Sequence, residues 1–175
     1  AKANGKKQDT ATLLNNMGRI YDALGQLDKA LEFYNQALII RGEIGDRAGM
    51  AATLNNIGMA HNKLGQQDKA LEFFNRALLI TKEVGDRAGM AGTLNNIAGV
   101  YLSLGQQGKS LEFFNQALPI MEEVGDRVGM ATTLNNIAGA HNALGQRDKA
   151  LGLYNQGIAH LGRRGRQSGP CYHSQ

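Results

Sequence analysis

The sequence predicts an all-α protein, an α-solenoid of four helix hairpins. One observation is a repeat of 40 residues: Thr-Leu-Asn-Asn-Ile occurs at 53–57, 93–97 and 133–137, and a diverged copy begins at Leu14. A second is the helical spacing of apolar residues within each copy, and a third is the glycine that follows each helical stretch. Such a period indicates an array in which each unit buries its apolar face against its neighbours.

The first helix of each unit is predicted from one apolar stripe. Apolar or small residues recur at the i, i+3, i+4, i+7 spacing. In the second unit this stripe contains Leu54, Ile57, Gly58, His61 and Leu64. Gly65 ends the helix, because glycine enters the left-handed conformation at this position at little cost.

The second helix follows a short turn, and Asp68 is placed to cap it. Its stripe contains Ala70, Leu71, Phe74, Ala77, Leu78 and Thr81, widened by Phe73 and Ile80. Gly85 ends this helix, and Asp86 is placed to cap the next one. Units are therefore expected at about residues 6–45, 46–85, 86–125 and 126–161, and a basic, flexible tail at 162–175.

Small residues recur where the two helices of a unit are expected to cross. Gly18 and Gly58 stand at a position occupied by Ala98 and Ala138 in the later units. A short side chain here lets neighbouring helix axes approach to about 8–10 Å.

Pro119 conflicts with the helical pattern, since it falls inside the second helix of the third unit. Proline removes a backbone hydrogen bond and clashes with the carbonyl four residues earlier. We expect a kink or a local widening of the helix at Leu118–Pro119.

The units resemble the tetratricopeptide repeat. The family pattern is matched in the second unit by Leu54, Ile57-Gly58, His61, Ala70, Phe74 and Ala77, and the other three units match at the same offsets. The usual early Trp is Leu here and the closing Pro is absent. The period exceeds the usual length of about 34 residues and is similar to that of the longer-repeat subclass in kinesin light chains, Pins-type spindle adaptors and bacterial arrays.

The resemblance implies a right-handed superhelix whose first helices line a concave surface. In this family, partner proteins commonly lie on that surface as extended or helical peptides. The resemblance therefore implies a non-enzymatic scaffold for protein or peptide ligands.

Charge does not favour a nucleic-acid partner. The net charge is +4, but six of the 19 basic residues lie towards the ends of the chain, at the outer edge of the predicted repeats or outside them: Lys2, Lys6, Lys7, Arg163, Arg164 and Arg166. The predicted repeats are then close to neutral, whereas a nucleic-acid binder carries its basic residues on the folded face that meets phosphate.

Location is predicted from features that the sequence lacks. Cys171 is the only cysteine, which fits a reducing compartment. No apolar run reaches the length of about 20 residues that a membrane span needs, and the Lys-rich start lacks the apolar stretch of a signal peptide. We expect a soluble, cytoplasmic protein.

No residues suggest a catalytic, metal or cofactor site. The segment Gly105–Ser110 is shorter than a phosphate-binding loop and follows a helix instead of a strand. His61 and His141 lie two units apart, too far to share one metal ion. We therefore expect no enzyme activity and no cofactor.

The predicted peptide-binding groove contains paired asparagines on the first helices. We call Asn15, Asn55, Asn95 and Asn135 the first asparagine row and Asn16, Asn56, Asn96 and Asn136 the second asparagine row. The other predicted groove residues are Arg19, Met59, Lys63, Gly99 and Gly139. We expect Arg19 and Lys63 to meet an acidic group of the partner, and its main chain to approach closely at Gly99 and Gly139.

Asparagine suits a peptide groove because its amide offers a donor and an acceptor, and so can match a peptide unit in either direction. The alternative is that these asparagines solvate a helix face or bond between neighbouring repeats. Asparagine is a weaker helix former than Glu, Lys or Gln, which argues mildly against an idle role.

Other functions remain open from the sequence. The last unit has no evident polar cap, so the array can self-associate as a homo-oligomer through its exposed terminal repeat. It can also be a docking or sensor segment of a larger signalling protein. Near-identical units fit recent duplication or consensus design equally well.

Overall fold

The computed structural model describes residues 2–162, and within this range the chain forms eight α-helices and no β-strand. They are α1 (Lys2–Ala23), α2 (Leu27–Ile44), α3 (Arg47–Lys63), α4 (Gln67–Glu83), α5 (Arg87–Ser103), α6 (Gln107–Glu123), α7 (Arg127–Ala143) and α8 (Arg147–Gly162). Consecutive helices pair into hairpins, and each hairpin stacks on the next through its second helix. The predicted all-α solenoid of four hairpins is confirmed.

The first hairpin begins earlier than the sequence indicated. Because α1 starts at Lys2, residues Lys6 and Lys7 belong to this hairpin and not to a segment outside the repeats. Lys7 Nζ lies 2.7 Å from Glu43 Oε2 at the end of α2. The same place in the next hairpin is occupied by the ion pair of Arg47 with Glu83. Of the tail predicted at 162–175, Gly162 is the last residue of α8, and residues 163–175 lie outside the described residues.

Helix N-termini are of two kinds. Aspartates cap α3, α5 and α7, and Asp86 Oδ1 accepts a hydrogen bond from the backbone N–H of Gly89 at 2.8 Å. The predicted cap at Asp68 is wrong. Gln66 is the N-cap of α4 and makes no side-chain cap bond, so Asp68 lies inside the first turn. There its charge interacts only with the positive end of the helix dipole.

This difference predicts unequal effects of two similar substitutions. Asp86→Ala removes a cap bond and is expected to lower the free energy of unfolding by about 1 kcal/mol. Asp68→Ala removes only a dipole interaction and is expected to cost about 0.3–1 kcal/mol, at the low end because the residue is exposed. Urea unfolding of both variants measures this. A larger loss for Asp68→Ala would contradict the assignment.

Helices α1 to α7 each end at a glycine with positive φ, as predicted. Gly65 has a φ of 73°, its N–H donates to the carbonyl of Asn62, and the N–H of Gln66 donates to that of His61. These two bonds satisfy carbonyls that the helix end leaves free. Glycines at the corresponding positions are Gly25, Gly45, Gly85, Gly105, Gly125 and Gly145. Gly105 therefore belongs to an inter-helix turn, as the sequence indicated.

The core is built from aromatic rings over small residues. Phe74 of α4 is buried against Gly58 of α3, where an added Cβ would lie 2.7 Å from the ring. On its other side Phe74 belongs to a buried cluster with Ala91 and Ile97 of the next hairpin. Leu64, which was predicted in the apolar stripe, is instead exposed, because it is the C-cap residue at the edge of the hairpin.

Helix α6 runs without interruption through Pro119. Pro119 and Asn115 are both exposed. The carbonyl that loses its hydrogen-bond partner therefore belongs to a residue that water can reach. The expected widening is not observed, because the backbone is α-helical on both sides of the proline.

Candidate functional site

The first helices of the hairpins lie on the concave side of the stack. Helix α1 contacts α3, α3 contacts α5, and α5 contacts α7. Within the described range, the second helices α2, α4, α6 and α8 make no such contacts with one another. Because the first helices approach more closely than the second ones, the stack curves towards them. The helices that carry the predicted groove residues therefore lie on the concave side.

The first asparagine row bonds between neighbouring hairpins. Thr133 Oγ1 donates to Asn95 Oδ1 at 2.9 Å, and Asn55 Nδ2 donates to Thr93 Oγ1 at 2.8 Å. A third such pair joins Asn15 and Thr53 at 3.3 Å. Asn135, in the last hairpin, is exposed. Asn15, Asn55 and Asn95 therefore bond between neighbouring repeats, which was the alternative to a role in peptide binding.

The threonine partners were missed by the sequence analysis. Thr53, Thr93 and Thr133 are fully buried, and Thr53 and Thr93 also donate to the carbonyl four residues earlier. The sequence does contain a sign of these partners, because threonine recurs at this position in three units, whereas the first unit has Leu13. A helical wheel of one helix could not show it, since the bond joins residues 38 positions apart.

The second asparagine row is more accessible. Asn16 is exposed, and the other three members are half-buried. Asn56 Nδ2 donates to Asn15 Oδ1 at 3.1 Å. In the part of the chain that the structure describes, the side chains of Asn16, Asn96 and Asn136 form no hydrogen bond. These amides therefore keep donors and acceptors that a ligand can use.

The position beside the rows changes from large to small along the groove. Arg19 and Met59 are exposed, whereas Gly99 and Gly139 leave the backbone half-exposed. A Cβ added to either glycine would meet no atom within 4 Å. The groove is thus open down to the backbone over α5 and α7.

Among the predicted groove residues, only Arg19 and Lys63 carry a charge. Lys63 Nζ lies 2.5 Å from Asp22 Oδ2 of the preceding hairpin, so the charge of Lys63 is already paired within the chain. Burial raises the pKa of Tyr34 to about 12, and the negative charge of Asp22 raises it further by a smaller amount. The positive charge of Arg19 lowers this pKa. Arg19 is exposed and is the remaining predicted groove cation.

The histidines have ordinary packing roles. His61 stacks on Phe73 with ring centroids 5.2 Å apart, and its Nδ1 lies 2.7 Å from Gln66 Oε1. His141 contacts Gln146 in the same way. Among residues 2–162, no group of three or more His, Cys, Asp or Glu side chains is placed to hold a metal ion. None of the helices described has the length and apolar composition to cross a membrane.

Comparisons with known proteins agree with this architecture. The family model described as tetratricopeptide repeat matches residues 9–83, 49–123 and 89–161. No curated protein matches the chain.

Three solved structures illustrate the fold. BtubC from P. vanneervenii is 23% identical, with a TM-score of 0.79 over 94% of this chain and 68% of that one. A kinesin light chain of Podosopora anserina with nearly identical TPR-like repeats is 21% identical, with a TM-score of 0.67 over 90% and 77%. A Rap protein complexed with Competence and Sporulation Factor is 20% identical, with a TM-score of 0.82 over 89% and 43%. The chain thus spans less than half of the Rap protein, and at these identities the likeness shows the fold.

Proposed function

The chain belongs to the tetratricopeptide repeat family, and from this premise we propose that it is a non-enzymatic scaffold that binds an extended peptide along the concave surface of α1, α3, α5 and α7. One observation carries the proposal. Three members of the first asparagine row are hydrogen-bonded between hairpins, whereas three members of the second asparagine row form no side-chain hydrogen bond in the described range.

The spacing of the hairpins suits an extended peptide. Packed helices lie about 8–10 Å apart, and an extended chain advances about 3.3 Å per residue. One asparagine of the second asparagine row therefore lies opposite about every third peptide unit of the ligand. Each amide can accept from a peptide N–H and donate to a peptide carbonyl, which holds the ligand by its backbone with little dependence on sequence.

The contents of the groove suggest an orientation for the ligand. Arg19 offers a cation over α1, so an acidic residue is favoured there. The open backbone at Gly99 and Gly139 allows the main chain of the ligand to approach α5 and α7 closely. The similar fold of the Rap protein, which is complexed with Competence and Sporulation Factor, supports the idea that such a stack can hold a ligand.

Filling the open part of the groove is expected to block binding. Gly99→Met and Gly139→Met introduce the side chain that the second hairpin carries as Met59, into space that no protein atom occupies. The double variant should fold at least as stably as the wild type, since replacing glycine inside a helix stabilises it. Affinity for a peptide selected on the wild-type chain from a random library should fall by about tenfold or more.

Gly108→Met is the matched control. Gly108 is exposed near the start of α6, also with open space around it, but on a second helix. This variant should bind the selected peptide like the wild type. The proposal fails if the groove variant binds the peptide normally, or if no library peptide binds the wild-type chain.

A further inference from the structure

The last hairpin exposes an apolar end face. A groove of about 540 Å³ lies between α7 and α8, and its lining includes Ala131, Tyr154, Ile158 and Leu161. Ile158 is 65% exposed and Leu161 is 54% exposed. In the second hairpin the corresponding residues are Leu78 and Thr81, and both are buried where α5 packs on α4. We call this surface the C-terminal end face.

The first hairpin exposes the opposite surface on α1. Leu13 is 64% exposed and Ile20 is 60% exposed, with Met17 between them. These residues correspond to Thr53 and Ala60 of α3, which are fully buried against the preceding hairpin, and to the buried Ile57. We call this surface the N-terminal end face. Both end faces of the described stack are therefore apolar.

The two end faces correspond to the two sides of the interface that joins successive hairpins. Three times within the chain, a surface equivalent to the C-terminal end face receives a surface equivalent to the N-terminal end face. The side chains of the two end faces also compensate for each other in size. Leu13 and Ile20 are larger than Thr53 and Ala60, while Gly157 on the opposite face is smaller than the corresponding Ala77.

We propose that the N-terminal end face of one copy of this chain docks on the C-terminal end face of a second copy. The contact is head-to-tail, because the two faces differ and each lacks its own complement. It continues the stacking of the hairpins from one copy into the next. Such an interface does not close on itself and adds further copies in an open chain.

The contact is weaker than the internal one in one respect. Asn135 would meet Leu13, where the internal interfaces pair asparagine with threonine. Because this hydrogen bond is missing, the copies are expected to exchange at low concentration. The second asparagine rows of successive copies would form one continuous row.

Two charge substitutions test the proposal in the full 175-residue chain. Sedimentation velocity of the wild type should show species larger than a monomer that increase with concentration. Ile20→Lys and Ile158→Lys each change an exposed side chain, so each variant should keep its helical circular dichroism. Each alone should be a monomer, with an apparent dissociation constant raised about tenfold or more.

The decisive sample is an equimolar mixture of the two variants. Each keeps one intact end face, so the mixture should form a one-to-one dimer that neither variant forms alone. Leu13→Lys and Leu161→Lys provide a second pair if either first variant unfolds. A wild type that stays monomeric, a single variant that still assembles, or a mixture that stays monomeric would overturn the proposal. A monomeric wild type is also the result expected if residues 163–175 or another partner cover an end face.

Discussion

Replacing Phe74 by alanine is expected to lower the free energy of unfolding by about 3–5 kcal/mol, the cost of deleting a fully buried aromatic ring. Phe74 lies against Gly58 of its own hairpin and packs in a cluster with Ala91 and Ile97 of the next one. The substitution therefore weakens both the packing within the second hairpin and its interface with the third hairpin. Gly58 has no side chain that could move into the space, so the cavity stays open.

Unfolding of a repeat array need not be two-state, because each unit contacts only its neighbours. Hydrogen exchange should therefore accompany urea unfolding, and amides of α3, α4 and α5 should lose more protection than those of α7 and α8. Leu79→Ala is the control, since Leu79 is an exposed residue of the same helix and its loss should change stability by about 0.5 kcal/mol or less. Equal effects of the two variants would contradict this account of the core.

The features that the sequence predicted well depend on local geometry. Helical spacing, the cap at Asp86 and the glycine turn at Gly65 each concern residues a few positions apart, where backbone geometry alone determines the contact. Asp68 shows the limit of this reasoning. A good capping residue close to a helix start need not be the cap, and α4 begins two residues earlier than a cap at Asp68 would place it.

The features that the sequence did not predict depend on how hairpins stack. Asn95 and Thr133 come together only through the offset of α5 and α7, which a single helical wheel cannot give. Lys63 pairs with Asp22 in one interface only, because the later hairpins carry Ser103 and Ala143 in place of the lysine. A residue that looks like a free groove cation on its own helix is therefore neutralised by the preceding hairpin.

The central claim is that the two asparagine rows have separate roles. Asn95→Ala removes the amide acceptor of the buried Thr133 hydroxyl and leaves it only the sulfur of Met121, a weak acceptor 3.3 Å away. A buried hydroxyl without a good acceptor costs about 1–3 kcal/mol. Asn96→Ala with Asn136→Ala removes amides that have no protein partner in the described range, so the loss should appear in binding. Two hydrogen bonds of about 0.5–1.5 kcal/mol each correspond to a fall in peptide affinity of roughly 5- to 150-fold.

The most direct test is to measure both quantities on both variants: peptide affinity by fluorescence anisotropy, with a peptide selected on the wild type, and the free energy of unfolding in urea. We expect Asn95→Ala to lose stability and, under conditions where it is folded, to bind like the wild type. The Asn96→Ala, Asn136→Ala variant should keep its stability and lose affinity. The opposite pattern, with binding lost in Asn95→Ala and retained in the double variant, would contradict the account.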